Sequence, residues 1–192
     1  MTDAQVVVND PEEHVLRISP RLVDPWGVVD EAVVDISYTH QDGDRKTENA
    51  TLSLLPATPR GMYPVILRPR DTRQWSAITR FIVKKTPLPP WTQTFQISEP
   101  FLGLSEAGFR VVAIELLEDP VIFAGSEPQV LAIRLTLGKD PKDHQLPQAT
   151  SILRKGQLSD TVVVPDVGLN ESVNVLVEVI SRQKRTSFIQ TV

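Results

Sequence analysis

The chain has 192 residues, with 20 basic and 24 acidic side chains and no cysteine. A net charge of −4, with both signs interspersed, excludes a basic nucleic-acid binder. The lack of cysteine excludes a disulfide scaffold, a thiolate nucleophile and cysteine-ligated zinc or iron–sulfur.

Prolines number 16 against 9 glycines, and Val and Ile are abundant. That mixture predicts short strands joined by rigid turns. The N-terminal stretch MTDAQVVVNDPEEH carries neither a basic leader nor a long apolar run, so it does not read as a signal peptide. No apolar run approaches the ~18 residues of a spanning segment, and membrane insertion is not expected. These features fit the cytoplasm or an assembled particle, unless the chain is excised from a larger exported one.

Residues 1–13 read as an N-terminal arm whose Val6, Val7 and Val8 can add an edge strand. His14–Leu22 alternates, with Leu16, Ile18 and Leu22 on one face, the period of a half-buried strand. Asp24-Pro25-Trp26-Gly27 reads as a turn. Glu31–His40 is the clearest strand of the first half: Val34, Ile36 and Tyr38 face the core, and Val33, Asp35, Ser37 and Thr39 face out. Gln41-Asp42-Gly43-Asp44 supplies a hairpin turn, and Asn49–Leu55 returns with Leu52 and Leu54 inward. After the break Pro56–Gly61, Met62–Leu67 is a strand that Pro64 confines to an edge. Trp75–Val83 has apolar residues on both faces: Trp75, Ala77, Phe81 and Val83 on one, Ile78 and Ile82 on the other. It is expected to be covered on both sides or to twist. A Pro-rich turn leads from it to Trp91–Ile97.

Residues 99–108 carry Pro100, Gly103 and Gly108 and little strand periodicity. Phe101, Leu102 and Leu104 make this an apolar, packed linker rather than a loose one. The second half then repeats the first. Phe109–Glu118 points Val112, Ile114 and Leu116 to one face. Asp119-Pro120 sits where Asp24-Pro25 sat, about 95 positions later, the spacing of one small sandwich. Pro128–Gly138 alternates Leu131, Ile133, Leu135 and Leu137 against Arg134 and Thr136. After the charged loop 139–147, Ala149–Leu153, Thr161–Val164, Val173–Ile180 and Phe188–Val192 match the later strands of the first half.

Residues carrying this pattern resemble tandem immunoglobulin-like or fibronectin-III-like modules, chiefly through the penultimate strand with Trp75 and Phe81 and the final strand beginning at Trp91. The resemblance stays at fold level, since the chain has no Cys–Trp–Cys core. It implies an all-β fold of two tandem immunoglobulin-like antiparallel β-sandwich domains, spanning 14–98 and 109–192.

Catalytic motifs are absent: no Gly-x-Ser-x-Gly elbow, no His-Glu-x-x-His and no phosphate-binding loop. His14, His40 and His144 lack metal-ligand spacing, and a surface role is expected for each. Asp42-Gly43-Asp44 and Lys139–Asp143 place basic residues where a calcium loop of about 12 residues needs oxygen ligands, so both read as turns. No enzyme activity, metal or cofactor is expected. The candidate interaction residues are the tryptophans at turn or strand-start positions, Trp26 and Trp91, with Pro89 beside the second. To these are added the basic turns Lys84-Lys85 and Arg182, Lys184 and Arg185, whose simpler role is to solvate the strand ends. The expected function is that of a structural or interaction protein, a spacer, adaptor or assembly subunit with protein partners or copies of itself. The alternative is a carbohydrate- or ligand-binding module using the exposed tryptophans.

Overall fold

The computed structural model describes residues 14–41, 43, 45–83, 88–116, 123, 130–165, 167, 171–182 and 185–191. Val6–Val8, Lys84, Lys85, Lys184, Asp42, Asp44 and the Asp119-Pro120 turn lie outside them. The described residues contain no α-helix and form fourteen strands. In order these are β1 (Val15–Ile18), β2 (Arg21–Val23), β3 (Val29–Thr39), β4 (Thr47–Leu54), β5 (Tyr63–Ile66), β6 (Trp75–Val83), β7 (Trp91–Phe95), β8 (Phe101–Gly103), β9 (Arg110–Glu115), β10 (Val130–Gly138), β11 (Ala149–Leu153), β12 (Ser159–Val164), β13 (Asn174–Ser181) and β14 (Arg185–Thr191).

The chain divides into two compact units. One comprises the described parts of 1–22, Glu31–Arg80 and Pro90–Leu102; the other those of Val23–Asp30, Phe81–Pro89 and Gly103–Val192. The four-stranded sheet of the first runs β4-β3-β6-β7, and β1 pairs with β5. The four-stranded sheet of the second runs β11-β10-β13-β14, and β9 pairs with β12. Advancing every label of the first sheet by seven reproduces the second. The internal repeat is therefore a repeat of strand order.

Local chemistry agrees. Leu54 and Leu153 are both buried at strand ends, and each is followed by a two-residue turn. Leu55 and Thr58 exchange two backbone hydrogen bonds, as do Arg154 and Gln157. The first turn uses Pro56, whose fixed φ suits the second turn position. The second uses Gly156 at φ +82°, the left-handed value a type II turn requires at its third position.

The period-two reading of β3 holds: Ala32, Val34, Ile36 and Tyr38 are buried, while their neighbours are not. With Leu16, Ile18, Leu54, Val65, Trp75 and Ala77 they form the core of the first unit. That of the second centres on Leu135, Leu137, Ala149, Leu153, Val162, Val164, Val167 and Val173.

Two strand readings are corrected. β6 buries one face only: Trp75, Ala77, Thr79 and Phe81 lie inside, and Ile78 and Ile82 are exposed. In β10, Leu131 is exposed rather than inward. The register against β13 shifts between Val130 and Ala132, and a bulge of one residue turns the side chain off the core face. In the linker segment, Phe101–Gly103 forms β8 against β2, with Leu102 and Leu104 buried and Phe101 exposed. Three residues are too few to show a period in sequence.

Candidate functional site

The densest polar constellation lies at one end of the first unit's sheet. His40 follows the last residue of β3, and its backbone N–H bonds the Lys46 carbonyl at 3.0 Å to close the β3–β4 hairpin. The residue is 1% exposed. Its Nδ1 lies 2.6 Å from Asp71 Oδ2, and its Nε2 lies 3.0 Å from Glu48 Oε1. Asp71, whose side chain is fully buried, comes from the β5–β6 connection, and Glu48 from β4. Both partners are carboxylates, which accept only when ionised. The ring satisfies both by donating from both nitrogens, which is the imidazolium.

The electrostatics follow. The hydrogen bond to Asp71, then that to Glu48, raises the His40 pKa above its ordinary value, against the opposing effect of burial. Burial alone would raise the Asp71 carboxyl, but the N–H groups of Arg68 and Gln41, together with the His40 ring, hold it below the usual range. Those N–H groups lie 2.8 and 2.7 Å from its two oxygens. The His40 hydrogen bond lowers Glu48. Around this core, Tyr38 donates to the Thr72 carbonyl at 2.6 Å, and burial, reinforced by Asp71 and Glu48, lifts its phenol to about 12. Tyr63 donates to Glu48 Oε2 at 3.3 Å.

Hydrogen bonding thus ties the end of β3, the start of β4, β5 and the loop 68–72 together. With both ring nitrogens engaged by carboxylates, this histidine acts as a clasp between the segments that supply them. The expected surface role for His40 is corrected. Position 40 looked like a hairpin edge, and its partner Asp71 is 31 residues away, beyond any local pattern. The only hint in sequence was that Tyr38 and His40 continue the inward parity of β3. His14 and His144 are exposed.

The described members of the predicted interaction set are divided between the two units. Trp26 is 58% exposed on the turn between β2 and β3 and lines a cavity of about 330 Å³ with Pro25, Leu104, Phe109 and Arg110; all belong to the second unit. Trp91 opens β7 in the first unit, partly buried and edge-on to Phe95 at 6.1 Å. Pro89 is exposed just before it. Arg182 is exposed at the end of β13, and Arg185 opens β14 bonded to Glu178 at 2.5 Å. Among the described residues no group of three or more His, Cys, Asp or Glu side chains could hold a metal ion, and no helix is long and apolar enough to cross a membrane.

No protein-family model matches the chain, and no curated protein matches it in sequence. Among solved structures it is similar to a candidate adhesin from Bacteroides ovatus ATCC 8483. The likeness covers 100% of this chain and 87% of that one, at 10% identity and a TM-score of 0.39, a level that carries no functional argument.

Proposed function

We propose that the protein is a non-catalytic interaction module of two tandem fibronectin-III-like β-sandwiches, which recognises an extended protein segment along the β14 edge. The shared four-stranded order, accompanied in each unit by a two-stranded antiparallel pair, supports the sandwich reading.

The observation that carries the function is β14 itself. Among the described residues it is the last strand of its sheet, and all seven of its residues are exposed. Phe188 and Ile189 project to opposite faces, 52% and 43% exposed. Within Arg185–Thr191 there is no proline, lysine or acidic residue of the kind that blunts an edge. A free edge of this composition supplies main-chain pairing to an incoming strand, with side-chain recognition on either face. The chain's own candidate for that strand is the arm bearing Val6, Val7 and Val8.

Sedimentation velocity and affinity capture of the intact chain test this reading. Phe188→Lys with Ile189→Lys is expected to abolish complex formation while leaving the fold unchanged. Removing residues 1–10 then separates self-association from binding to another protein. Equal complex formation by the wild type and the double variant overturns the assignment to β14. A catalytic role lies outside this reading, since the buried histidine spends both nitrogens on carboxylates; turnover in a broad hydrolase screen that His14→Ala or His144→Ala removes would refute that part.

A further inference from the structure

The turn Asp24-Pro25-Trp26-Gly27 gives every residue but one a local task. The Gly27 N–H bonds the Asp24 carbonyl at 3.3 Å, Pro25 fixes φ at the second position, and Gly27 takes the left-handed φ of +64°. Asp24 Oδ2 accepts the Val29 N–H at 2.9 Å, locking the entry to β3. Trp26 holds the third position, which tolerates most residues in such a turn. The backbone therefore does not require an indole there. A rigid turn nevertheless presents that indole 58% exposed, so the fold gains little from burying it.

Beside the indole lies the cavity of about 330 Å³, whose walls include Leu104, Phe109 and Val111, with Asp24, Ser105 and Arg110 as its polar members. The volume is at the lower end of ligand pockets, roughly 300–1,000 Å³. Asp24 contributes charge rather than an open acceptor: Oδ2 takes the Val29 N–H, and Oδ1 is buried with no hydrogen-bond partner among the described residues. Arg110 is fixed by donating from one terminal nitrogen to the Glu171 carbonyl at 2.5 Å, which uses one of its five N–H groups. The carboxylate and the guanidinium cancel, so the lining favours neither an anion nor a cation.

The chemistry complementary to an aromatic plate, an apolar wall and a charge-balanced donor is a ring with a C–H face and a hydroxyl edge. We propose that this cavity binds a neutral pyranoside, its C–H face stacked on Trp26 and its hydroxyls accepting from the remaining N–H groups of Arg110. This goes beyond edge-strand recognition and is independent of it.

The test is a ¹⁵N-edited NMR titration of the whole chain, in which the 3 tryptophans give separate indole signals assigned by substitution. Methyl glycosides of glucose, galactose, mannose and N-acetylglucosamine form the panel; a glucuronide, glucosamine and a short apolar peptide are the controls. The expected result is a saturable shift of the Trp26 indole by at least one neutral glycoside, at millimolar concentration or below. Trp26→Ala should weaken that binding about tenfold or more, read from the backbone amides of Gly27 and Arg110, with the Trp75 and Trp91 indole signals unmoved. Trp26→Phe should recover part of it, and Phe188→Lys should leave it intact. No shift by any neutral glycoside overturns the proposal. So does a response confined to the charged sugars, or one to the apolar peptide alone, which would assign the cavity to a protein segment.

Discussion

The two units share a strand order but close the corresponding end of their sheets by different chemistry. In the first, an ionised histidine is buried between two carboxylates drawn from separate segments. In the second, the loop after β10 is held by exposed bonds, most of them short-range, together with an ion pair of Lys139 to Glu171 at 3.1 Å. Asp140 and Asp143 cap the N–H groups of Lys142 and Gln145, Gln148 bonds the carbonyls of both aspartates, and Asn174 bonds the Lys139 carbonyl. The comparison teaches that strand order does not dictate how a hairpin end is secured. A long-range clasp fixes distant segments to one another and responds to pH. The bonds of the second unit's loop lie on the surface, where solvent screens them and charge pairing contributes little.

The same contrast runs through the paired strands β6–β7 and β13–β14. Trp75, opposite Phe95, stacks on that ring at 4.6 Å and donates its indole N–H to the Ile97 carbonyl at 2.9 Å. Asn174, opposite Thr191, makes exposed bonds instead, accepting from the threonine hydroxyl at 2.8 Å and donating to the Lys139 carbonyl at 2.6 Å. β6 is therefore anchored by a large buried aromatic, whereas β13 and β14 end on the surface.

The strongest break in the comparison is Trp75→Ala, expected to destabilise the first unit by about 3–5 kcal/mol. Asn174→Ala should cost the second about 1 kcal/mol or less. Hydrogen exchange under increasing denaturant reads the units separately.

Next in size is His40→Ala, expected to cost about 3 kcal/mol or more by stranding two carboxylates, one of them fully buried, against about 1 kcal/mol for Gln148→Ala. Equal losses would show that the clasp is no stronger than the capped turns.

The clasp also predicts a pH profile. His40 has a raised pKa, so its contribution is complete below the unfolded value of about 6.5 and is lost as pH rises through the folded value. Glu48 and Asp71 have lowered pKa values, so theirs is complete above about 4.5 and is lost as pH falls through the folded values. First-unit stability should peak between these limits and decline on either side. His40→Gln should remove the decline on the alkaline side; a wild type whose stability rises above pH 7 would contradict the assignment of both ring nitrogens as donors.

The smallest effect carries the opposite sign. Thr79 is fully buried on β6 with no partner for its hydroxyl among the described residues. Thr79→Val should stabilise the first unit by about 1 kcal/mol, measured by urea denaturation.

Much of the architecture was legible in residue order, because alternation is a local property. The inward set of β3 could be read directly, and so could the second half's echo of the first. Where the reading failed, the deciding fact was a partner. Ile78 and Ile82 look like Trp75 and Phe81 in their apolarity; only the arrangement of layers tells which face is covered. Leu131 sat in phase until a bulge broke the phase. Of the interaction residues, Trp26 was singled out in sequence with Trp91 by its turn or strand-start position, but the cavity beside it draws on residues about 80 positions further on.

The sequence by itself determined an all-β chain with strands at turn-punctuated spacing and a half-chain echo, because side-chain parity and turn chemistry act over two to four residues. Tertiary structure alone decided that His40 is an ionised clasp and that Trp26 borders a cavity with Arg110. A charge can be buried only where its counter-charges arrive, and Asp71 and Glu48 reach His40 from 31 and 8 residues further along the chain.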